Sequence, residues 1–457
     1  MAMQTAQRNL GSGSVGKLLF RLAVPAVVAQ VINLLYNIVD RIYIGHIPEV
    51  GDSALTGVGL FMPILMLINA FAMLAGSGGA PRAAIAMGRG DIDEAEKIMA
   101  NCFTALLGFA AVLTTVFFFT APTLLRLFGA SDVTLPYAVA YSRIYILGCV
   151  TVLLVMGMNP FITTQGFAKI SMLTTAIGAV VNVVLDPVFI FVLDMGVEGA
   201  ALATVLSQAV GALWILLFLT GQKTTLRLRR TNMPLRANII LPCLALGVST
   251  FVMLSTESLL SISFNSSLSR YGGDIAVGAM TVITSANQLA MMPLQGICHG
   301  GQPIISFNFG AGKSERVKQI FWLQFRICVG YSVLFWVFMM LFPHIVAGVF
   351  TPNTELINYT VWAIRIYMAG VFSMGVQLSC QQSFMALGQA KVSLVMACLR
   401  KLVLLIPLIF ILPAFLPDKV FAVFLAEPIS DIIAATVTSI TFITRFDRIL
   451  KQGSAKV

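Results

Sequence analysis

The sequence predicts an all-α membrane protein with many spans, built as two six-helix bundles related by a pseudo-two-fold axis. Three observations predict this. Only 11% of the 457 residues are charged and 58% are hydrophobic, with a mean hydropathy of +0.91, whereas soluble domains carry roughly 25% charged residues. Apolar runs of bilayer-crossing length recur along the whole chain, Cys102–Phe119 and Phe321–Leu341 among them; a span needs ~20 such residues, because each rises ~1.5 Å through a core of ~30 Å. The third is a repeat. Gly78-Gly79-Ala80-Pro81, then Gly88-Arg89-Gly90 and Ile98, return as Gly300-Gly301-Gln302-Pro303, then Gly310-Ala311-Gly312 and Ile320, at a constant offset of about 222 residues.

Twelve spans are expected, at 18–45, 54–80, 97–120, 138–164, 170–193, 198–220, 239–268, 276–303, 318–341, 358–386, 391–415 and 419–444. The repeat divides them into an amino-terminal tail 1–17, a first bundle 18–220, a basic linker 221–238, a second bundle 239–444 and a carboxy-terminal tail 445–457. Residues 1–16 lack the apolar core of a cleavable signal peptide, so the first span is expected to remain as an anchor.

The formal charge of +10 reflects orientation rather than a nucleic-acid partner. One alternating set of segments holds Arg8, Lys17, Arg89, Lys169, Lys313, Lys391, Arg445, Arg448 and Lys456, together with Arg227, Arg229 and Arg230 of the linker. The opposite set carries Glu49, Asp52, Asp132, Asp194, Asp274 and Asp418. The positive-inside rule places the basic set, and both termini, in the cytoplasm. The seven cysteines show no paired spacing and imply no zinc or redox site.

Internal repeats of this kind mark secondary transporters, whose substrates bind between the repeats near the midplane. Gly312-Lys313-Ser314 resembles the end of a phosphate loop, but Phe307 stands where that motif needs glycine, and the repeat puts Asp91 at the lysine's place. Neither ATP nor another cofactor is therefore expected, and an ion gradient must drive transport.

Polar residues inside spans are costly, at least ~2.5–3.5 kcal/mol for a central charge, and so become site candidates. Asn33, Tyr36, Asn37 and Asp40 share one face of the first span, with Gln30 a turn earlier. Asn182 and Asp186 share a face of the fifth, followed by Pro187. Two carboxyls from different helices could share a proton or a sodium ion, because burial makes protonation sensitive to the side the site faces. Structural readings stand beside these: a polar seam between helices with Asp40 neutralised by neighbouring Arg41, and Asp186 as an N-cap or loop residue where the fifth span could end. In the second half, Glu257, the Glu427/Asp431 pair, Gln377 with Gln381, and Gln288 with Gln295 could line a cavity for a cationic substrate or form an interhelical network. Met291, Met292 and Met374 could make that surface pliable.

In this order, on a two-fold repeat, several of these motifs resemble the MATE (multidrug and toxic compound extrusion) family, within it the MepA-like bacterial branch. They are Pro25 with Asn37-Ile38-Val39-Asp40, Gly78-Gly79-Ala80-Pro81, Asn182-Val183-Val184-Leu185-Asp186-Pro187, Gly196-Val197-Glu198-Gly199-Ala200-Ala201 and Ala426-Glu427-Pro428-Ile429-Ser430-Asp431. The resemblance runs from about Leu18 to Arg448. It implies the MATE fold and export of amphipathic, often cationic, drugs in exchange for protons or sodium, by a monomer in the bacterial inner membrane. It also implies an ion-coupling site at Asp40, Asn182, Asp186 and Thr204, with Tyr36 nearby, where sodium could bind. Pro25 matches a helix-bending proline, and Glu257 an acidic residue of the seventh span. An aspartate of the tenth span, used by another branch, is absent; Gln377 and Gln381 stand there. The substrate cavity is expected at Asn33, Asn37, Glu257, Gln288, Met292, Gln377, Glu427 and Asp431.

Three other classes make different demands on the sequence. A flippase for lipid-linked sugars would want a strongly basic cavity, and the mid-span charges read as mainly acidic. An intramembrane enzyme would want clustered aspartates for Mg²⁺. A channel would want a filter loop or a ring of one residue type.

Overall fold

The computed structural model describes residues 10–350 and 352–454; Arg8 and Lys456, two of the basic-set residues, lie outside them. Every regular element among the described residues is helical. Ten helices are long and apolar enough to cross a membrane, and the bent pair Leu135–Leu147 and Cys149–Thr164, at 57°, adds an eleventh.

The remaining span is concealed in one element. The helix Ala237–Gly310 runs for 74 residues, about 110 Å if straight, more than three times the hydrocarbon thickness. It reverses at Gly273, where φ is 66° and ψ −162°, a conformation essentially confined to glycine. Its two ends return to one neighbour: Cys243 packs on Gly78, and Phe307 on Gly88. The element is thus a hairpin of the seventh and eighth spans, which brings the total to the expected twelve.

The fifth span runs as an α-helix over Ala168–Pro187 and then a π-helical turn, Val188–Val192. Its counterpart in the second half, the eleventh, is α-helical over Ala390–Cys398, π-helical over Leu399–Leu405 and α-helical over Ile406–Phe415. The twelfth is Lys419–Ser454.

The halves meet tightly at the end that carries the basic loops. A side-chain carbon on Gly88 would fall 2.0 Å from the Phe307 carbonyl oxygen, and one on Gly310 would fall 2.0 Å from that of Ile85. These two contacts are exchanged by the repeat offset, so the seam is itself two-fold. Small residues are what allow membrane helices so close an approach. Leu74 on Gly247 and Ala23 on Gly300 extend the seam.

Two segments close the same end. Leu10 is fully buried, against Gly166 of the first half. Its carbonyl accepts from Asn308 Nδ2 at 2.9 Å, and those of Gly11, Ser12 and Gly13 accept from Lys313 Nζ and Arg316 at 2.7–2.9 Å. The linker is folded onto the first half. Gln165 Oε1 accepts from Thr224 Oγ1 and from the Thr225 and Leu226 amides, each at 2.8 Å. Glu96 takes the Arg227 amide at 3.0 Å and pairs with Arg229, and Asn101 takes the Arg236 amide at 2.7 Å.

Candidate functional site

The first span, Val15–Gly45, is a continuous helix through Pro25. Its register delivers Tyr36 and Asp40 toward the fifth and sixth spans. Asp186 is the penultimate residue of the α-helical part of the fifth span, which runs on as the π-turn, and it is fully buried, so it is neither an N-cap nor a loop residue. Nor does Arg41 neutralise Asp40 by an ion pair within 4 Å among the described residues: its guanidinium is exposed and turned toward Met62. Asp40 and Asp186 face each other, with Tyr36 beside both. Asn182 Nδ2 donates to Asp186 Oδ1 at 3.2 Å and to Thr204 Oγ1 at 3.4 Å. The structure therefore gathers Asp40, Asn182, Asp186, Thr204 and Tyr36.

The gathering leaves an imbalance. Asp40 Oδ1, Asn182 Oδ1 and Asp186 Oδ2 are buried and have no hydrogen-bond donor among the described residues. Buried polar atoms are rarely left unsatisfied. Facing carboxyls that each keep an acceptor without a donor suit a shared proton, or a small cation held by oxygens. The four oxygen-bearing residues Asp40, Asn182, Asp186 and Thr204 fit sodium in donor type.

Toward the basic-loop end, the same half encloses a cavity of about 190 Å³ lined by Gln30, Asn33, Asn159, Gln208, His299 and Gln302, among others. His299 and Gln302 come from the eighth span, so the second half supplies part of its wall. Of these, the sequence reading singled out Gln30 and Asn33. Gln295, His299 and Gln302 recur at helical spacing, as do Thr204 and Gln208, so a polar face was legible there, but only the packing of spans shows that it meets Asn159 and the first span.

The expected substrate residues do not collect in one place. Asn33 lines this cavity, while Asn37 and Gln288 are exposed and Met292 is partly buried. Gln377 is buried and donates to Gln381 Oε1 at 3.5 Å, and Gln381 reaches Met253 Sδ. That is the interhelical network, not a cavity wall.

Glu257, Glu427 and Asp431 are not free carboxylates. Arg400 Nε donates to Asp431 Oδ1 at 2.8 Å, and its Nη2 to Glu427 Oε1 at 3.2 Å. Lys401 Nζ pairs with Glu257 and donates to the Met253 carbonyl at 2.9 Å. Arg400 and Lys401 are the residues that the sequence reading missed. The signal was present, two charges about ten residues into the eleventh span, and it amends the expectation of a mainly acidic interior. The π-turn at Leu399–Leu405 holds this adjacent pair, Arg400 facing the twelfth span and Lys401 the seventh; such turns are frequent at functional sites.

The MatE family profile matches residues 25–188 and 250–411. The chain is 24% identical over 421 residues to the multidrug export protein MepA of Staphylococcus saprophyticus, covering 91% of this chain and 92% of that protein. It is 23% identical over 424 residues to MepA of Staphylococcus aureus, covering 90% and 91%. Among solved structures, a crystal structure of MATE in the bent conformation superposes with a TM-score of 0.91 at 23% identity, covering 99% of both chains. An outward-facing multidrug resistance MATE transporter of the MOP superfamily superposes with a TM-score of 0.90 at 23% identity, covering 97% of this chain and 98% of that one.

Proposed function

The chain belongs to the MatE family, and on that premise we propose that it exports amphipathic, often cationic, organic compounds from a bacterial cytoplasm in exchange for protons or sodium ions. It is a multi-pass membrane transporter, not an enzyme. The observation that carries the antiport reading is the trio of donorless oxygens on Asp40, Asn182 and Asp186. Facing carboxyls of this kind are suited to taking up a positive ion, which is what coupling to an ion gradient requires. Thr204 and Tyr36 complete its wall.

The cycle is alternating access. With the basic loops in the cytoplasm, the glycine seam and the Leu10 contacts close the cytoplasmic side, and the described state faces outward. An ion entering from outside occupies the Asp40/Asp186 site; bending of the first span at Pro25 passes that change toward the cavity lined by Asn33. Release of the seam then admits substrate from the cytoplasm. The protein acts as a monomer in the inner membrane.

The test is dye efflux from proteoliposomes under proton and sodium gradients imposed separately. Efflux that follows one gradient supports antiport and names the ion; efflux indifferent to both refutes it.

A further inference from the structure

The first-half cavity carries one group that the ion site does not use. Its polar wall is made of neutral amides and hydroxyls, Gln30, Asn33, Asn159 and Gln208 among them, and no carboxylate, lysine or arginine lines it among the described residues. His299, from the eighth span of the second half, is the one side chain on that wall of the type that ordinarily titrates between pH 5 and pH 8. We propose that His299 is a specificity residue for positively charged substrates: its neutral imidazole admits an organic cation to the cavity, and a proton on the imidazole drives that cation out. This rests on the exporter reading above, and it gives the cavity its own point of exchange, apart from Asp40 and Asp186.

Two glycines fix the placement. A side-chain carbon on Gly296 would fall 2.4 Å from Val27, and one on Gly300 would fall 2.5 Å from Ala23. The eighth span therefore lies directly against the first, an approach that small residues allow. That contact carries His299 to the basic-loop end of the cavity, between the levels of Ala23 and Val27. Tyr36 stands at the opposite end, beside Asp40 and Asp186. From Ala26 to Tyr36 the first span rises about 15 Å, so the imidazole and the paired carboxyls occupy different ends.

The surroundings leave the charge of the imidazole to its own proton. No charged side chain acts on it among the described residues. Across the cavity it meets amides of the first, fourth and sixth spans, while the second and fifth offer only hydroxyls and apolar groups. Tyr36 is the other titratable group on the wall. On its own helix, neighbouring Cys298 is turned to Cys328 of the ninth span. A cavity of about 190 Å³ holds its occupant within about 8 Å of the ring, and two unit charges that close, at an effective dielectric of about 20, change an affinity about thirtyfold. The exchange balances: one proton binds an imidazole nitrogen, one monocation leaves, and the charge of the cavity is unchanged. Where protons are plentiful the site releases, and where they are scarce it loads, so an inward proton gradient moves the cation outward.

Binding of benzyltrimethylammonium, whose charge is permanent, is measured by titration calorimetry on the purified full-length protein at pH 8 and pH 5. The neutral amide N,N-dimethylbenzamide serves as a control of similar size. Wild-type affinity for the cation is expected to fall about thirtyfold on acidification, and affinity for the amide to hold within about threefold. His299→Gln and His299→Asn keep a polar side chain and remove the titration; in either, the fall is expected to shrink to within about threefold. Asp40→Asn combined with Asp186→Asn is expected to retain it. The proposal is overturned if the wild-type affinity is flat with pH, if the amide follows the cation, if the histidine variants keep the fall, or if the aspartate variant abolishes it. The wild-type comparison of cation and amide decides even where a variant does not fold. A wild type that binds the cation at neither pH and moves no dye under either gradient overturns the exporter reading as well, whereas dye efflux with a pH profile indifferent to His299 overturns this assignment alone.

Discussion

The fifth and eleventh spans hold equivalent places in the two halves, and both loosen into a π-helical turn. Beside that turn the first half sets an acid, Asp186, and the second sets two bases, Arg400 and Lys401. The acid of the fifth span faces another acid, Asp40, with neutral Asn182 and Thr204 around it. The bases of the eleventh span face Glu257, Glu427 and Asp431. One scaffold thus carries two electrostatic solutions. The first half gives Asp40 and Asp186 no ion pair within 4 Å among the described residues; the second supplies its carboxylates with countercharge from its own chain. The two turns do not coincide at the repeat offset, for Val188–Val192 corresponds to 410–414, inside the α-helix Ile406–Phe415, so each half placed its own turn and its own charges on the shared scaffold.

The comparison breaks first at Asp186. Asp186→Asn, and likewise Asp40→Asn, should reduce ion-driven efflux in proteoliposomes to background while the protein still inserts. Full coupled transport in both would remove the first half's assigned role. Next is Arg400→Met, which strands two buried carboxylates; breaking a buried pair costs about 3–5 kcal/mol. Thermal unfolding in detergent should show that loss, and Arg400→Met with Asp431→Asn should regain part of it. If Arg400→Met unfolds like the wild type, the countercharge in the second half is not structural.

The seam tests the symmetry itself. Gly88→Ala and Gly310→Ala each drive a methyl toward a backbone oxygen across the halves, and such overpacking costs about 1–3 kcal/mol. Both should favour the state open at the basic-loop end, to similar extents, as read by distances between spin labels on the two halves. Unequal shifts would mean that the two-fold relation is only geometric. The smallest expected effect belongs to Gln165→Leu. It strips three donors of one shared acceptor and should cost about 1–2 kcal/mol, with faster proteolysis within 221–236 and little change in transport.

Much of this was legible in the sequence, for a physical reason. A span must be apolar for its whole length, and a polar face within it must repeat at helical spacing, so twelve helices and the Tyr36/Asp40 and Asn182/Asp186 faces are local statements. The repeat added the symmetry. What the sequence hid depends on partners far along the chain. Gln165 looks like any loop residue until Thr224–Leu226 folds over it. Glu257 and Asp431 read as open acids because their cations lie 144 and 31 residues away. His299 shares a helical face with Gln295 and Gln302, but nothing local says that this face lines a cavity of the other half.

The folded linker has a consequence for biosynthesis. A ribosome that has delivered the sixth span has not finished the first half, because Gln165, Glu96 and Asn101 still await Thr224 through Arg236. The natural stopping point of an autonomous first half is therefore Arg236, not Thr220. Until those residues emerge, the side-chain oxygens of Gln165, Glu96 and Asn101 lack the backbone donors that the linker brings.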